Sequence, residues 1–245
     1  MPADEPTIVA TSGGLVPGRR SRLELAPLIR LTLELSGAAG RPRLCALDTA
    51  GGDQRWVQAE LHHAAEAAGV TLRFLNVFPM PNVDDPTGYL LEHDAVWVGG
   101  GSVANLLALW RLHGYDDALR TAWQSGVVLG GVSAGSICWH VGGTTDSFGP
   151  DLRPVTDGLG WLPYSNGVHY DSEAQRRPLF QRLIAGGVLP DGFATDDGVG
   201  LVYRSTELVE AVTEVRGKGA YSVRRHEDQA VEERIEPRVL PGARE

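Results

Sequence analysis

Short runs of apolar and β-branched residues alternate along the chain with longer stretches whose apolar positions recur every three or four residues. Such alternation builds a parallel sheet covered by helices on both faces. The pattern predicts a strand over residues 7 to 11 ending in Ser12-Gly13-Gly14, then a helix over 21 to 36 with the stripe Leu23, Leu25, Leu28, Ile29, Leu31 and Leu33. A strand over 44 to 48 leads into Thr49-Ala50-Gly51-Gly52, and a helix follows over 54 to 68. Next come a strand over 71 to 77, a short helix over 86 to 91, a strand over 95 to 98 and the run Gly99-Gly100-Gly101. Helices over 102 to 112 and 116 to 125 precede residues 127 to 132, a continuous apolar run of the kind expected of a central strand buried on both faces.

Beyond Trp139 the pattern loosens into Gly- and Pro-containing loops and recovers as a helix over 173 to 185. Runs over 200 to 203, 208 to 215, 220 to 223 and 234 to 239 read as strands and hairpins. The expected fold class is α/β, a three-layer doubly wound, mostly parallel sheet with C-terminal strands and hairpins. With 245 residues and neither an internal repeat nor a low-complexity linker, one domain over 1–245 is expected.

Composition narrows the function classes. An apolar content of 42% supports a large core, while a net charge of -9 without a Lys/Arg cluster argues against nucleic acid as a partner. The start Met1-Pro2-Ala3-Asp4-Glu5-Pro6 lacks the basic and apolar regions of a secretory signal, and no apolar run is long enough to span a bilayer, so a cytoplasmic protein without membrane contact is expected. Cys45 and Cys138 sit in apolar contexts without metal-ligand spacing and read as buried thiols. No His/Asp/Glu cluster has ligand spacing either, so neither a metal nor a cofactor is expected.

The residues able to do chemistry begin with Gly131-Val132-Ser133-Ala134-Gly135, a G-x-S-x-G sequence after a buried strand and before a helical start. A nucleophile on a sharp strand-to-helix turn needs small neighbours, and the amide of Ala134 is suitably placed to donate to an oxyanion. Glycine and serine also make ordinary strand-to-helix connections. Gly99-Gly100-Gly101 follows another strand, so a parallel sheet brings it to the same edge, where Gly100 and Gly101 offer further amide donors. A phosphate-binding loop is excluded because no Lys-Ser/Thr pair follows.

Serine needs a base, and seven histidines compete for the role. His62, His63, His93, His113 and His226 occupy helix or polar surface contexts, and His140 lies too far along the helix after Ser133, which leaves His169 in Asn166-Gly167-Val168-His169-Tyr170-Asp171. The orienting acid stays open among Asp146, Asp171, Glu173 and the pair Asp196-Asp197.

Taken together, Val98-Gly99-Gly100-Gly101-Ser102, Gly131 to Gly135 with Cys138-Trp139, Thr145-Asp146-Ser147 and His169-Tyr170-Asp171-Ser172-Glu173 resemble the peptidase E and cyanophycinase family of serine peptidases (peptidase family S51). The resemblance implies a class I glutamine amidotransferase-like (flavodoxin-like) fold and a serine-type dipeptidase or exopeptidase acting on small peptides. It implies Ser133 as nucleophile, His169 as base, Asp146 as acid, and Gly100, Gly101 and Ala134 as the oxyanion hole. In aspartate-specific members an arginine downstream of the histidine pairs with the substrate. Here Glu173 stands near that position and Arg176 and Arg177 follow, so these three are the substrate-binding candidates.

An α/β-hydrolase esterase shares the elbow, though that fold inserts several strands before its histidine. A non-catalytic small-ligand binding protein on the same scaffold is the alternative of a different class. The partners expected are a small peptide substrate and, through the exposed late strands, a second copy in a homodimer.

Overall fold

The computed structural model describes residues 3–19 and 21–245. Met1 and Pro2, the start of the N-terminal stretch considered above, lie outside the described residues. In chain order the strands are β1 (Thr7–Thr11), β2 (Leu15–Val16), β3 (Glu24–Leu25), β4 (Arg43–Leu47), β5 (Thr71–Phe74), β6 (Ala95–Val98), β7 (Val128–Val132) and β8 (His140–Thr145). They continue as β9 (Arg153–Val155), β10 (Leu162–Gly167), β11 (Gly192–Thr195), β12 (Val199–Arg204), β13 (Glu207–Val215), β14 (Ala220–His226), β15 (Gln229–Ile235) and β16 (Arg238–Arg244). The α-helices are α1 (Pro27–Leu35), α2 (Arg55–Ala67), α3 (Pro86–Leu91), α4 (Val103–His113), α5 (Tyr115–Gln124), α6 (Ala134–Ile137) and α7 (Arg176–Ala185).

An eight-stranded sheet in the order β16-β13-β12-β1-β7-β6-β4-β5 forms the middle layer. The strands β1, β7, β6, β4 and β5 all run parallel, and β12 enters antiparallel to β1. Side chains alternate between its faces as the strand period requires. Ile8, Cys45, Leu47, Val96, Val98 and Leu129 join one core with α4 and α5, while Val9, Leu44, Ala46, Trp97 and Val128 join another with α1 and α2. The result is the expected three-layer α/β fold with a mostly parallel sheet. A second sheet, β15-β14-β11-β10-β8-β9, lies beside it, and α7 covers part of that sheet through Phe180 and Ile184 against Tyr170, Tyr221 and Val223.

Three differences from the sequence pattern have physical reasons. The first helix starts at Pro27, whose fixed φ suits the opening turn, while Glu24 and Leu25 pair with Val16 and Leu15 in a short hairpin. The loops expected after Trp139 are instead the strands β8 to β10, and β11 follows α7 where the pattern predicts no strand. A Cβ on Gly142 would stand 2.0 Å from the Val155 carbonyl oxygen and one on Gly143 2.2 Å from that of Asn166, so the residues that look like loop composition are what lets these strands approach. The run over 234 to 239 divides at Pro237 between β15 in one sheet and β16 in the other.

Candidate active site

The nucleophile candidate is built locally. β7 ends at Val132 and α6 begins at Ala134, leaving Ser133 at φ 57° and ψ -111°, a backbone conformation that non-glycine residues adopt only where their surroundings impose it. The imposing contacts are backbone to backbone: a Cβ on Gly131 would meet the Gly135 carbonyl oxygen at 2.3 Å, and one on Gly135 the Val98 carbonyl oxygen at 2.3 Å. Both glycines of the G-x-S-x-G sequence therefore hold α6 tight against β7 and β6. The Ser133 amide donates to the Thr11 carbonyl at 3.0 Å, tying the turn to β1.

The glycine run after β6 lies alongside. A Cβ on Gly100 would be 3.3 Å from the Ser133 Cβ and 3.9 Å from its Oγ. Among the described residues the amides of Gly100, Gly101 and Ala134 have no hydrogen-bond acceptor. Those are the three donors that the sequence suggests for an oxyanion.

His169 reaches this edge from the other sheet. β10 pairs parallel with β11 in the register Gly167 to Ala194, so the residues just past both strand ends emerge side by side. Tyr170 is buried, takes the Thr195 carbonyl through its amide and donates its hydroxyl to Glu232 at 2.7 Å. Asp196 is buried and accepts from the Gly219 amide at 2.9 Å and the Tyr221 hydroxyl at 3.2 Å. Their neighbours His169 and Asp197 are left facing the cleft, where His169 Nδ1 donates to Asp197 Oδ1 at 2.6 Å.

That hydrogen bond holds the Asp197 carboxyl below its ordinary range, with Ser172 and Lys218 adding to the effect against partial burial. With Nδ1 carrying the proton toward Asp197, the other ring nitrogen, Nε2, is left as the acceptor a general base needs. His169 has φ 51°, and its amide donates to Ser12 Oγ at 3.1 Å. Consecutive residues at the end of β1, Thr11 and Ser12, thus bind the backbones of Ser133 and His169. Val132, His169 and Asp197 line a common cavity of about 500 Å³. The Ser133 hydroxyl and the imidazole share no hydrogen bond here.

Asp146 is not the partner of His169. β8 also runs parallel to β10, in the register Gly143 to Asn166, and carries Asp146 toward the same edge on the opposite side. There the chain turns, the Gly149 amide donating to the Asp146 carbonyl, and the exposed Asp146 side chain lines a separate cavity with Leu152, Glu173 and Gln175. Asp171, the second candidate acid, accepts the Asp197 amide at 2.9 Å and pairs with Lys218, so it braces Asp197 rather than His169.

Glu173 accepts from Arg176 Nε at 2.7 Å, and the buried Arg176 also donates to the Thr144 carbonyl. Arg177 pairs with Glu232 and lies over the rings of Tyr170 and Tyr221 at 5.2 and 4.7 Å. Both arginines expected to face substrate therefore bind groups of the protein itself.

The remaining reactive side chains stand apart. His140 is fully buried, donates from Nδ1 to the Ser136 carbonyl and accepts the Tyr203 hydroxyl, and burial pushes its pKa down to about 4. Cys45 and Cys138 are buried free thiols, and burial raises both. Among the described residues no group of three or more His, Cys, Asp or Glu is placed to hold a metal ion, and no helix is long and apolar enough to cross a membrane. The site residues not picked out from the sequence are Asp197 and Ser12. In the sequence Asp197 is only half of an acidic pair, because residues 192–195 lack the pattern of a strand, and Ser12 carries no signal beyond following β1.

Comparison with known proteins gives this geometry a context. The model of peptidase family S51 matches residues 8–210. A relative from Bacillus subtilis (strain 168), named "Uncharacterized peptidase YgaJ", is 40% identical over 192 residues, which cover 78% of this chain and 82% of that protein. A peptidase from an acI-B1 Actinobacterium superposes with a TM-score of 0.67 at 16% identity, over 95% of each chain. A putative peptidase E protein from Listeria monocytogenes EGD-e superposes with a TM-score of 0.60 at 14% identity, over 94% of this chain and 99% of that one. The structural likenesses speak for the fold, and the family match and the relative speak for the lineage: the chain belongs to peptidase family S51 and is a peptide hydrolase.

Proposed function

We propose that this protein is a serine-type peptidase acting on dipeptides or other small peptides, with Ser133 as nucleophile, His169 as general base and Asp197 as the orienting acid. The observation that carries the proposal is the convergence, at the end of β1, of a strained serine elbow and a histidine whose Nδ1 is engaged by a carboxylate. In this reading His169 Nε2 takes the Ser133 proton as Oγ bonds to the scissile carbonyl carbon. The resulting oxyanion is held by amides from among Gly100, Gly101 and Ala134.

The carbon–nitrogen bond then breaks as the imidazolium returns that proton to the leaving amine. Water attacks the acyl-enzyme, its proton passing to His169, and the carbon–Oγ bond breaks to release the acid and restore the Ser133 hydroxyl. Asp197 stays ionised throughout and stabilises the imidazolium. We also propose a cytoplasmic location, for which the two free, buried thiols are suited.

The test is a panel of dipeptides and isoaspartyl peptides read by mass spectrometry, together with labelling by a fluorophosphonate. Wild type should hydrolyse members of the panel and take the label, and Ser133→Ala should lose both, with kcat lower by roughly 10³-fold or more. Unchanged labelling or turnover in Ser133→Ala would remove Ser133 from the mechanism.

A further inference from the structure

The cavity beside His169 has a charge pattern that hydrolysis alone does not require. Its walls include Gly13, Val132, Glu214, Lys218 and Arg244 along with His169. Each carboxylate there is already engaged. The Glu214 oxygens accept the amides of Gly14 at 2.9 Å and Leu28 at 3.0 Å, Asp197 accepts from His169, and Glu245 pairs with Arg216.

The cations are less committed. Lys218 pairs with Asp171, but its side chain is 37% exposed, and an ammonium has three donors. Arg244 is exposed, and among the described residues its guanidinium has no hydrogen-bonding or ion-pair partner. In a chain with net charge -9, two cations thus line the cavity that also exposes its candidate base, Arg244 standing where this cavity adjoins a second one beside Arg30 and Pro241.

The side of the nucleophile on which this cavity lies gives it a meaning. Gly100 flanks Ser133 from β6, whereas Gly13, Glu214 and Val215 belong to the β1 and β13 side, where His169 is tied to Ser12 and lines the same cavity. In acyl transfer the protonated base hands its proton to the departing amine, so the leaving amino acid lies on the histidine side.

Resting on the serine-peptidase reading above, we infer that Lys218, seconded by Arg244, holds the free α-carboxylate of the leaving amino acid, so that the enzyme selects substrates ending one residue beyond the scissile bond. The cavity, at about 500 Å³, has room for a single amino-acid side chain with its carboxylate. Longer peptides would have to carry a neutral peptide bond past the same cations.

The inference is tested with alanyl-leucine and aspartyl-leucine against their C-terminal amides, measuring kcat and KM for wild type, Lys218→Met, Arg244→Met and the double variant. Wild type should favour the free acids by about tenfold or more in kcat/KM, chiefly through KM, as expected for one charge-assisted contact. The ratio of acid to amide should fall toward one in the double variant, with Lys218→Met supplying most of the fall, and Lys218→Arg should retain the preference. Using the ratio cancels any disturbance that Lys218 substitution transmits to Asp197 through Asp171. A wild-type ratio near one, or an unchanged ratio in the double variant, would overturn the carboxylate role while leaving the peptidase standing. Failure of wild type to hydrolyse either the acids or the amides would instead remove the dipeptidase reading beneath it.

Discussion

The two halves of the candidate site are made in different ways. The elbow is local: five consecutive residues, two of them glycines pressed against backbone, force Ser133 into its unusual conformation between β7 and α6. The candidate base and its candidate acid are not local. His169 and Asp197 are 28 residues apart, meet only because β10 and β11 run parallel in one register, and depend on buried neighbours, Tyr170 and Asp196, whose side chains are held by two further strands, β15 and β14. A catalytic turn can therefore be specified by composition, whereas the carboxylate that accompanies a histidine is specified by strand pairing.

The largest expected effect tests that claim directly. Asp197→Asn keeps the size of the side chain but replaces the acceptor of the Nδ1 proton with an amide, which favours the wrong tautomer. The loss in kcat should be on the order of 10³- to 10⁴-fold, by analogy with asparagine in place of the acid of serine-protease triads. Asp146→Asn, on an exposed turn facing a different cavity, should leave kcat within about twofold, as surface substitutions away from special features do. Steady-state kinetics on one good dipeptide separates the two. A large loss for Asp146 with none for Asp197 would mean that the loops rearrange when substrate binds and that the geometry described here is not the working one.

The same contrast explains what could be read from the sequence. Strands β1, β4, β6 and β7 and the helices between them were legible because each buries both faces or one clear stripe, and the elbow was legible because its glycines are adjacent to its serine. The second sheet was not. β8 holds Gly142 and Gly143, and β10 carries Pro163, Ser165 and Asn166, so neither shows the alternation of a half-buried strand. With β10 and β11 unseen, their register was unseen, and Asp146, Asp171 and Asp197 were equivalent loop carboxylates. The surroundings of the arginines are hidden for a related reason: Arg176 and Arg177 stand at the opening of α7, and only the packing of that helix on β14 and β15 turns Arg177 onto Glu232.

A second experiment sharpens the comparison by setting two histidines of the second sheet against each other. His169 faces the cleft, whereas His140, at the start of β8, is buried and neutral with its pKa pushed down to about 4. An unfolded histidine titrates near 6.5, so between about pH 6.5 and pH 4 the unfolded chain binds a proton that the folded chain refuses. Stability should fall as the pH drops through that window, by up to about 3 kcal/mol from this residue alone. Denaturant melts of wild type and His140→Gln at pH 7 and pH 4.5 should show a smaller acid loss in the variant. An equal loss in both would mean that His140 takes up its proton without leaving the fold.

The smallest expected effect bears on the joint between the halves. Ser12 Oγ accepts the His169 amide at 3.1 Å and lies 2.7 Å from Thr195 Oγ1, while the preceding residue accepts the Ser133 amide through its carbonyl. Ser12→Ala removes one of those links without touching the elbow or the His169–Asp197 pair. The half-buried His169 amide would lose its acceptor, at a cost of about 1 kcal/mol, and the loop carrying a histidine at positive φ would gain freedom. Because the ring is then held by Asp197 alone, kcat should drop by about tenfold with KM little changed. On the proposed mechanism, labelling by a fluorophosphonate should slow by a similar factor, since the displaced imidazole would activate Ser133 less well. Ser12→Thr, which keeps the hydroxyl, should recover most of the rate. Were Ser12→Ala to lose stability but keep full kcat, the second sheet would be positioning His169 without help from β1, and the two halves of the site would be independent constructions that merely adjoin.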